Sequence, residues 1–99
     1  MKHSVDTENA RSHVLWTAEK LVNGDRNNEY GNPTQDFDRT ASLWTTYLDG
    51  RSKIEAHDVA VMMILLKISR LTWSPVKEDS WIDLAGYAAC GWECVADNK

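Results

Sequence analysis

The chain has 99 residues, of which 42% are hydrophobic and 26% are charged, and this composition is typical of one globular domain. Its 15 acidic residues outnumber its 11 basic residues, and the net charge of −4 argues against binding to a nucleic-acid polymer, which requires a basic face. The longest apolar run, residues 59–66, is far shorter than the roughly 20 residues that span a bilayer, so no membrane partner is expected.

The spacing of the apolar residues predicts an all-α fold, a four-helix bundle in one domain over residues 1–99. The expected bounds of the helices are 7–22, 34–48, 56–71 and 79–96. The segment 23–33 is rich in Gly and Asn, which favour turns, and it is predicted to be a polar loop between the first two helices.

The third and fourth predicted helices have unusual packing surfaces. The third is apolar almost all round over residues 59–66, as is typical of a helix at the centre of a bundle or buried in an oligomer, although its β-branched residues leave a strand as the alternative. The fourth is rich in Ala and Gly, which let backbones approach closely. Because these surfaces exceed what 99 residues can bury alone, we expect a homo-oligomer.

The first candidate site lies in the predicted polar loop, which contains Asp25, Arg26 and Tyr30. In one hypothesis, this polar segment only connects two helices. In the alternative, Arg26 and backbone N–H groups bind an anion while Tyr30 stacks on a base, since loops on rigid helices often carry binding groups.

A basic pair near the end of the third predicted helix is the second candidate. Lys67 and Arg70 are three residues apart and therefore project from one side of a helix. They either complement the helix dipole or bind phosphate, for which an arginine is suited to bidentate contact. Trp73, just beyond them, is placed to cover them or to stack on a base.

An acidic pair, Asp79 and Asp83, begins the fourth predicted helix. The favourable position at a helix N-terminus explains Asp79, whereas Asp83 lies further in among apolar neighbours and is expected to have a cationic partner. That partner is either Mg²⁺, which prefers carboxylates, waters and phosphate oxygens, or the basic pair Lys67 and Arg70.

Two further pairs have simpler explanations. Asp58 of Glu55-x-x-Asp58 is expected near a helix N-terminus, where a carboxylate is favourable. Cys90 and Cys94 are four residues apart, cannot make a disulfide framework and lack neighbouring zinc ligands, so a reduced, intracellular setting is expected.

A series of motifs in a fixed order covers nearly the whole chain. They are Asp25-Arg26-x-x-x-Tyr30-Gly31, Phe37 with Leu43-Trp44, the segment from Asp58-Val59-Ala60 to Lys67-Ile68-Ser69-Arg70-Leu71, and Asp79-Ser80-Trp81-Ile82-Asp83-Leu84-Ala85-Gly86-Tyr87. The series resembles a family of small tailed-phage and prophage proteins of uncharacterised function, which is distantly similar to the all-α MazG-like nucleotide pyrophosphohydrolases. The resemblance implies a helical bundle, oligomerisation, a nucleotide site with Mg²⁺ between helices, and the cytoplasm of an infected bacterial host as the location.

The chain departs from the MazG-like pattern in its acidic residues. MazG-like enzymes hold their metals with Glu-Glu-x-x-Glu on one helix and Glu-x-x-Asp on the next. Here Glu55-x-x-Asp58 matches the second motif but precedes the long apolar helix, and the sequence contains no Glu-Glu-x-x-Glu. Only Asp79 and Asp83 remain as a second acidic set, so the sequence favours nucleotide binding over metal-dependent hydrolysis.

The primary hypothesis is a phage protein that captures a linear or cyclic nucleotide without turnover and so sequesters a signal made by host defence. Its nucleotide-binding residues are expected to be Asp25, Arg26, Tyr30, Lys67, Arg70 and Trp73, with phosphate on the basic residues and the base or sugar on Tyr30. Asp79 and Asp83 hold Mg²⁺ or orient the basic residues. The alternatives are a Mg²⁺-dependent nucleotide pyrophosphohydrolase and a structural or protein-binding helical module.

Overall fold

Helices make up nearly all the regular structure in the computed structural model, which describes residues 9–96 except for the side chains of residues 25–27. The elements are α1 (Ala10–Lys20), a π-helical segment (Leu21–Asp25), α2 (Arg26–Tyr30), α3 (Pro33–Tyr47), α4 (Ala56–Trp73) and α5 (Glu78–Ala96). Four of these helices have eleven residues or more, and the described residues contain no strand. The predicted all-α fold class is therefore confirmed, and the strand alternative for the third element is wrong.

The polar loop predicted over 23–33 is wrong, because the chain stays helical from α1 through Tyr30. The Asn23 side chain donates from Nδ2 to the Glu19 carbonyl oxygen at 3.1 Å, and Gly24 does not adopt a positive φ. A single π turn, which is wider than an α-helical turn, contains these polar residues, and the helix continues beyond them. Val22 on this turn lies against Gly86 of α5, so tertiary packing favours the helical path. The chain turns instead at Gly31, whose φ is +84°.

The helix starts follow ordinary capping chemistry. Asn9 accepts hydrogen bonds from the first turn of α1, and Asn32 does so for α3, whose first residue is Pro33. The first helix was expected to start at residue 7, and residues 7 and 8 lie outside the described part of the chain. The turn after α3 contains Asp49 and Gly50, with φ of +59° and +71°. α4 extends two residues beyond the predicted 71, and α5 ends at the predicted residue 96.

The core lies mainly between α4 and α5, with α1 and α3 packed against this pair. Its buried apolar residues in the described chain are Ala18, Phe37, Ala41, Ala56, Val59, Ala60, Leu71, Ile82, Cys90 and Cys94. Most of these are Ala or Cys, so the helices approach one another closely. A Cβ atom added to Gly91 would lie only 2.8 Å from the Cβ of Ala60, which confirms the close approach predicted for the small residues of α5.

Large apolar side chains lie on the outside of the bundle in several places, including Leu65 on α4, Leu43 on α3 and Trp92 on α5. Even so, none of the helices within residues 9–96 combines the length and the apolar character that crossing a bilayer demands.

Candidate functional site

Two clefts share one wall residue, Asp83, near the start of α5. The first, here called the cationic cleft, has a volume of about 590 Å³ and lies between the end of α4 and the start of α5. It is lined by Lys67, Ser69, Arg70, Trp73, Ser74, Lys77, Asp79, Ser80 and Asp83. The second, here called the aromatic cleft, has a volume of about 350 Å³ and lies where the α1–α3 segment meets α5. It is lined by Ala18, Leu21, Val22, Tyr30, Gly31, Pro33, Asp36, Phe37, Ile82, Asp83, Gly86, Tyr87 and Cys90.

The cationic cleft brings together five residues that the sequence singled out: Lys67, Arg70, Trp73, Asp79 and Asp83. The first three project from the last turns of α4 and the last two from the first turns of α5. Because the connection between these helices is only four residues long, the end of one helix must lie beside the start of the next. The basic pair and the acidic pair therefore occupy one site.

Lys67 and Asp83 form an ion pair across α4 and α5, with 3.1 Å between Nζ and Oδ2. Lys67 is only 9% exposed, and a charged group so removed from water needs an opposite charge. The sequence left Mg²⁺ and the basic pair as alternative partners for Asp83, and the partner in this structure is Lys67.

Asp79 and Asp83, the two residues expected to hold Mg²⁺, both line the cationic cleft. Among the side chains that the structure describes, which leave out residues 25–27, there is no group of three or more His, Cys, Asp or Glu placed to hold a metal ion. Asp79 and Asp83 supply two carboxylates, and one oxygen of Asp83 already faces the ammonium group of Lys67. Mg²⁺ is commonly held by one or two carboxylates together with phosphate oxygens and waters, so the Mg²⁺ ligation expected of Asp79 and Asp83 stays a prediction.

The Glu55-x-x-Asp58 motif caps the N-terminus of α4. The Oδ2 atom of Asp58 accepts a hydrogen bond from the backbone N–H of Glu55 at 3.0 Å, as one half of a capping box. His57 also lies beside Asp58, with 3.5 Å between Nε2 and Oδ1. The predicted position of Asp58 near a helix N-terminus is confirmed, and the motif lies outside both clefts.

Four polar residues of the cationic cleft were not predicted as site residues, namely Ser69, Ser74, Lys77 and Ser80. Ser80 is 6% exposed, and its hydroxyl makes no hydrogen bond to any residue that the structure describes. The indole N–H of Trp81 donates to the carbonyl oxygen of Pro75 at 2.9 Å and so fixes the turn that carries Lys77. The only sequence signal for Lys77 was its position two residues before Asp79, in a segment read as a connection.

The aromatic cleft is formed by rings from three different elements. Phe37 and Tyr87 contact each other with their ring centroids 6.2 Å apart, and Tyr30 lies at the more exposed rim. The Arg39 guanidinium donates to the carbonyl oxygen of Tyr30 at 3.2 Å and lies 3.5 Å from Asp36, so it ties the end of α2 to α3. Tyr30 was predicted as a site residue, whereas Asp36 and Tyr87 were not.

Two predicted site residues, Asp25 and Arg26, have side chains outside the described part of the structure. Their backbone lies at the junction of the π-helical segment and α2, which leads to Tyr30 and the rim of the aromatic cleft. Their predicted contacts with a ligand stay predictions.

Cys90 lines the inner part of the aromatic cleft. Burial, with smaller contributions from Glu93 and Cys94, raises the pKa of the Cys90 thiol from 9.0 to about 11. The thiol is therefore neutral at pH 7 and acts as a small apolar wall of the cleft rather than as a nucleophile.

Comparison with known proteins places the chain among phage proteins of uncharacterised function, as predicted. Residues 13–95, which include both clefts, match a family described as a domain of unknown function, DUF6378. The gene 55 protein of Mycobacterium phage L5 is 44% identical over 75 residues, or 76% of this chain and 47% of that protein. The gene 55 protein of Mycobacterium phage D29 is 42% identical over 77 residues, or 78% of this chain and 50% of that protein. The chain thus spans about half the length of these relatives, and no solved structure matches it significantly.

Proposed function

The chain belongs to the DUF6378 family, and we propose that it captures a nucleotide without turning it over. In this proposal the phosphate groups bind in the cationic cleft and the base enters the aromatic cleft. The observation that carries the proposal is the common wall of the two clefts at Asp83, which puts an anion-binding surface beside a ring-lined one.

The charges of the cationic cleft support a phosphate ligand. Asp83 neutralises Lys67, but neither Arg70 nor Lys77 has a carboxylate partner among the side chains that the structure describes. These two side chains are exposed and can turn toward a phosphate, which an arginine binds in bidentate fashion. The buried hydroxyl of Ser80 offers a further hydrogen-bond donor at the same place.

The aromatic cleft supports a base as the second half of the ligand. Its volume of about 350 Å³ lies within the range of small-molecule sites, and its lining is mainly apolar with a few polar groups. Tyr30 at the rim can stack on a flat ring, while the carboxylates of Asp36 and Asp83 can accept hydrogen bonds from N–H groups of a base.

The contacts of the acidic residues favour capture of a nucleotide over its hydrolysis. Hydrolysis of a pyrophosphate bond by a MazG-like enzyme needs carboxylates that fix a metal ion and orient water. In this chain Asp83 pairs with Lys67 and Asp58 caps α4. A protein that binds a nucleotide and does not cleave it withdraws that nucleotide from other receptors, and sequestration of a signalling nucleotide is the role we propose.

We further propose that the working form is a homo-oligomer, because small and large apolar residues are distributed unusually. Ala and Cys provide most of the buried core, whereas large side chains of α4 such as Leu65 and Trp73 are at least 58% exposed. A chain that keeps its large apolar side chains outside gains more by burying them against another subunit than by folding alone.

The test is isothermal titration calorimetry of the full chain with linear and cyclic nucleotides, with inorganic phosphate as a probe of the cationic cleft alone. We expect saturable binding of a nucleotide, and chromatography should recover it intact after incubation with Mg²⁺. Release of pyrophosphate would establish the pyrophosphohydrolase alternative instead. Absence of binding across the panel would exclude both and leave a structural module.

Matched variants assign the binding to the two clefts. Arg70→Ala and Lys77→Ala should each weaken binding about ten- to hundredfold, since a hydrogen bond to a charged group contributes ~1.5–3 kcal/mol. Lys53→Ala, outside both clefts, should not weaken it. Tyr30→Ala should weaken nucleotide binding and leave phosphate binding unchanged, with the exposed Tyr47→Ala as its control. Equal effects of site and control variants would contradict the assignment.

A further inference from the structure

The outer face of α4 is formed by five large aliphatic residues: Val61, Met62, Leu65, Leu66 and Ile68. Each is between 41% and 58% exposed, although they recur at the spacing of a buried helix face. The other side of α4 packs on the rest of the bundle through small residues such as Ala56 and Ala60. α4 therefore presents its larger apolar side chains away from the core.

The apolar area of this face approaches the area that a stable interface buries. At these exposures the five side chains present on the order of 400 Å² of apolar surface, and Trp73, at 91% exposed, adds roughly 200 Å². A standard protein–protein interface buries ~800 Å² on each partner, including its polar rim. An apolar centre of this size is appropriate for one half of a dimer interface.

We propose that a second copy of this chain docks on the outer face of α4, so that the two α4 helices pack antiparallel about Leu65. This inference rests on the homo-oligomer that we proposed above and identifies its surface. Identical surfaces that meet in a closed dimer are related by a two-fold axis, which allows the two helices to be antiparallel or parallel.

The helix dipoles favour the antiparallel arrangement, and the charges at the two ends of α4 act in the same direction. The N-terminal end of α4 carries Glu55 and Asp58, whereas its C-terminal part carries the exposed Arg70. Antiparallel packing brings the acidic end of one helix toward the basic end of its partner and also opposes the two helix dipoles favourably. Parallel packing would place like charges side by side.

The arrangement also brings the partner close to the cationic cleft. Trp73 follows Leu66 by seven residues, or about two helical turns, and so extends the outer face of α4 to the cleft that it lines. A partner docked on α4 would cover one side of Trp73 at the rim of this cleft.

The first test is sedimentation velocity of the full chain and of two charge-introducing variants. We expect the unaltered chain to be a dimer and Leu65→Glu to be a monomer with unchanged helical content by circular dichroism. Leu43→Glu, at an exposed position on α3, is the matched control and should stay dimeric. A monomeric unaltered chain would overturn both the oligomer and its surface. If the unaltered chain is dimeric and only Leu43→Glu dissociates it, the surface alone is wrong. Nucleotide titration tests the ligand proposal separately.

The second test distinguishes antiparallel from parallel packing by disulfide formation. In a pair centred at Leu65, Leu65→Cys places the new thiols opposite each other, whereas the two thiols of Val61→Cys lie ~12 Å apart along the helix axes. We therefore expect oxidation to cross-link Leu65→Cys but not Val61→Cys, as seen by non-reducing electrophoresis. Cross-linking of both variants, or of neither, would overturn the antiparallel arrangement. Native Cys90 and Cys94 are buried and serve as the background in both variants.

Discussion

The Nζ atom of Lys67 on α4 lies 3.1 Å from the Oδ2 atom of Asp83 on α5, and this ion pair joins the two helices at the wall between the clefts. Lys67 is nearly buried, and about a quarter of the Asp83 side chain is exposed. Such a pair gives little net stability compared with two apolar residues, but removal of one partner leaves the other charge without compensation. The pair therefore determines the consequences of a substitution at either position.

Asp83→Asn should lower the free energy of unfolding by about 1–3 kcal/mol, because it removes the anion that faces a nearly buried ammonium group. The measurement is urea unfolding followed by circular dichroism. Asp79→Asn is the control on the same helix, where an exposed first-turn carboxylate contributes only about 0.3–1 kcal/mol. If Asp83→Asn leaves the free energy of unfolding unchanged, the ion pair has no structural role.

Gly91→Ala should destabilise the protein by about 1–3 kcal/mol, because the new methyl group would lie 2.8 Å from the Cβ of Ala60 and would force α4 and α5 apart. Gly24→Ala is the matched control. No atom lies within 4 Å of a Cβ at Gly24, and alanine has the higher helix propensity, so that variant should be as stable as the unaltered chain or more stable. Thermal unfolding of the two variants compares them directly, and similar melting temperatures would contradict the close packing.

Asp58→Ala should cost about 1 kcal/mol of stability, since it removes the carboxylate that accepts the backbone N–H of Glu55. It should leave nucleotide affinity unchanged with and without Mg²⁺, because Asp58 lies outside both clefts. Denaturant unfolding and calorimetry measure the two effects. A Mg²⁺-dependent loss of binding in this variant would show that Glu55-x-x-Asp58 acts as a ligand set after all.

Stability should fall as the pH rises from about 9 to about 11, in part because of Cys90. Burial raises the pKa of this thiol from 9.0 to about 11, so in this interval the folded protein keeps a proton that the unfolded chain has lost. Below pH 8 the thiol is protonated in both states and has no effect on the pH dependence. Unfolding free energies measured from pH 8 to 10.5 should decline less steeply for Cys90→Ala than for the unaltered chain. Identical slopes would show that Cys90 does not titrate differently on folding.

The candidate site shows which of its residues can be predicted from short-range spacing in the sequence. Lys67 and Arg70 lie three residues apart and Asp79 and Asp83 four apart, so each pair shares one side of any helix that contains it. The short connection between the two helices made their meeting in one cleft foreseeable. Lys77 and Ser80 were not foreseeable, because their place in the cleft depends on the path of the turn that Trp81 and Pro75 fix.

The segment over 23–33 shows where local signals mislead. Asn23-Gly24 is an ordinary helix stop, yet the helix continues because Val22 packs against Gly86 on a helix more than sixty residues away. A preference of about 1 kcal/mol per residue is easily overcome by such packing. The prediction of a loop failed there because the deciding contact is not local.

Three properties of the protein can be derived from the sequence alone, since each follows from helical spacing, residue size or the cost of burying a charge. They are the all-helical fold, a close approach of α5 to a neighbouring helix, and the need of Asp83 for a cationic partner. The folded structure was needed to show that this partner is Lys67, and which side of the nearly all-apolar α4 faces outward. These choices depend on the rotation and crossing of one helix against another. The packing of the whole chain sets that geometry, which no single segment encodes.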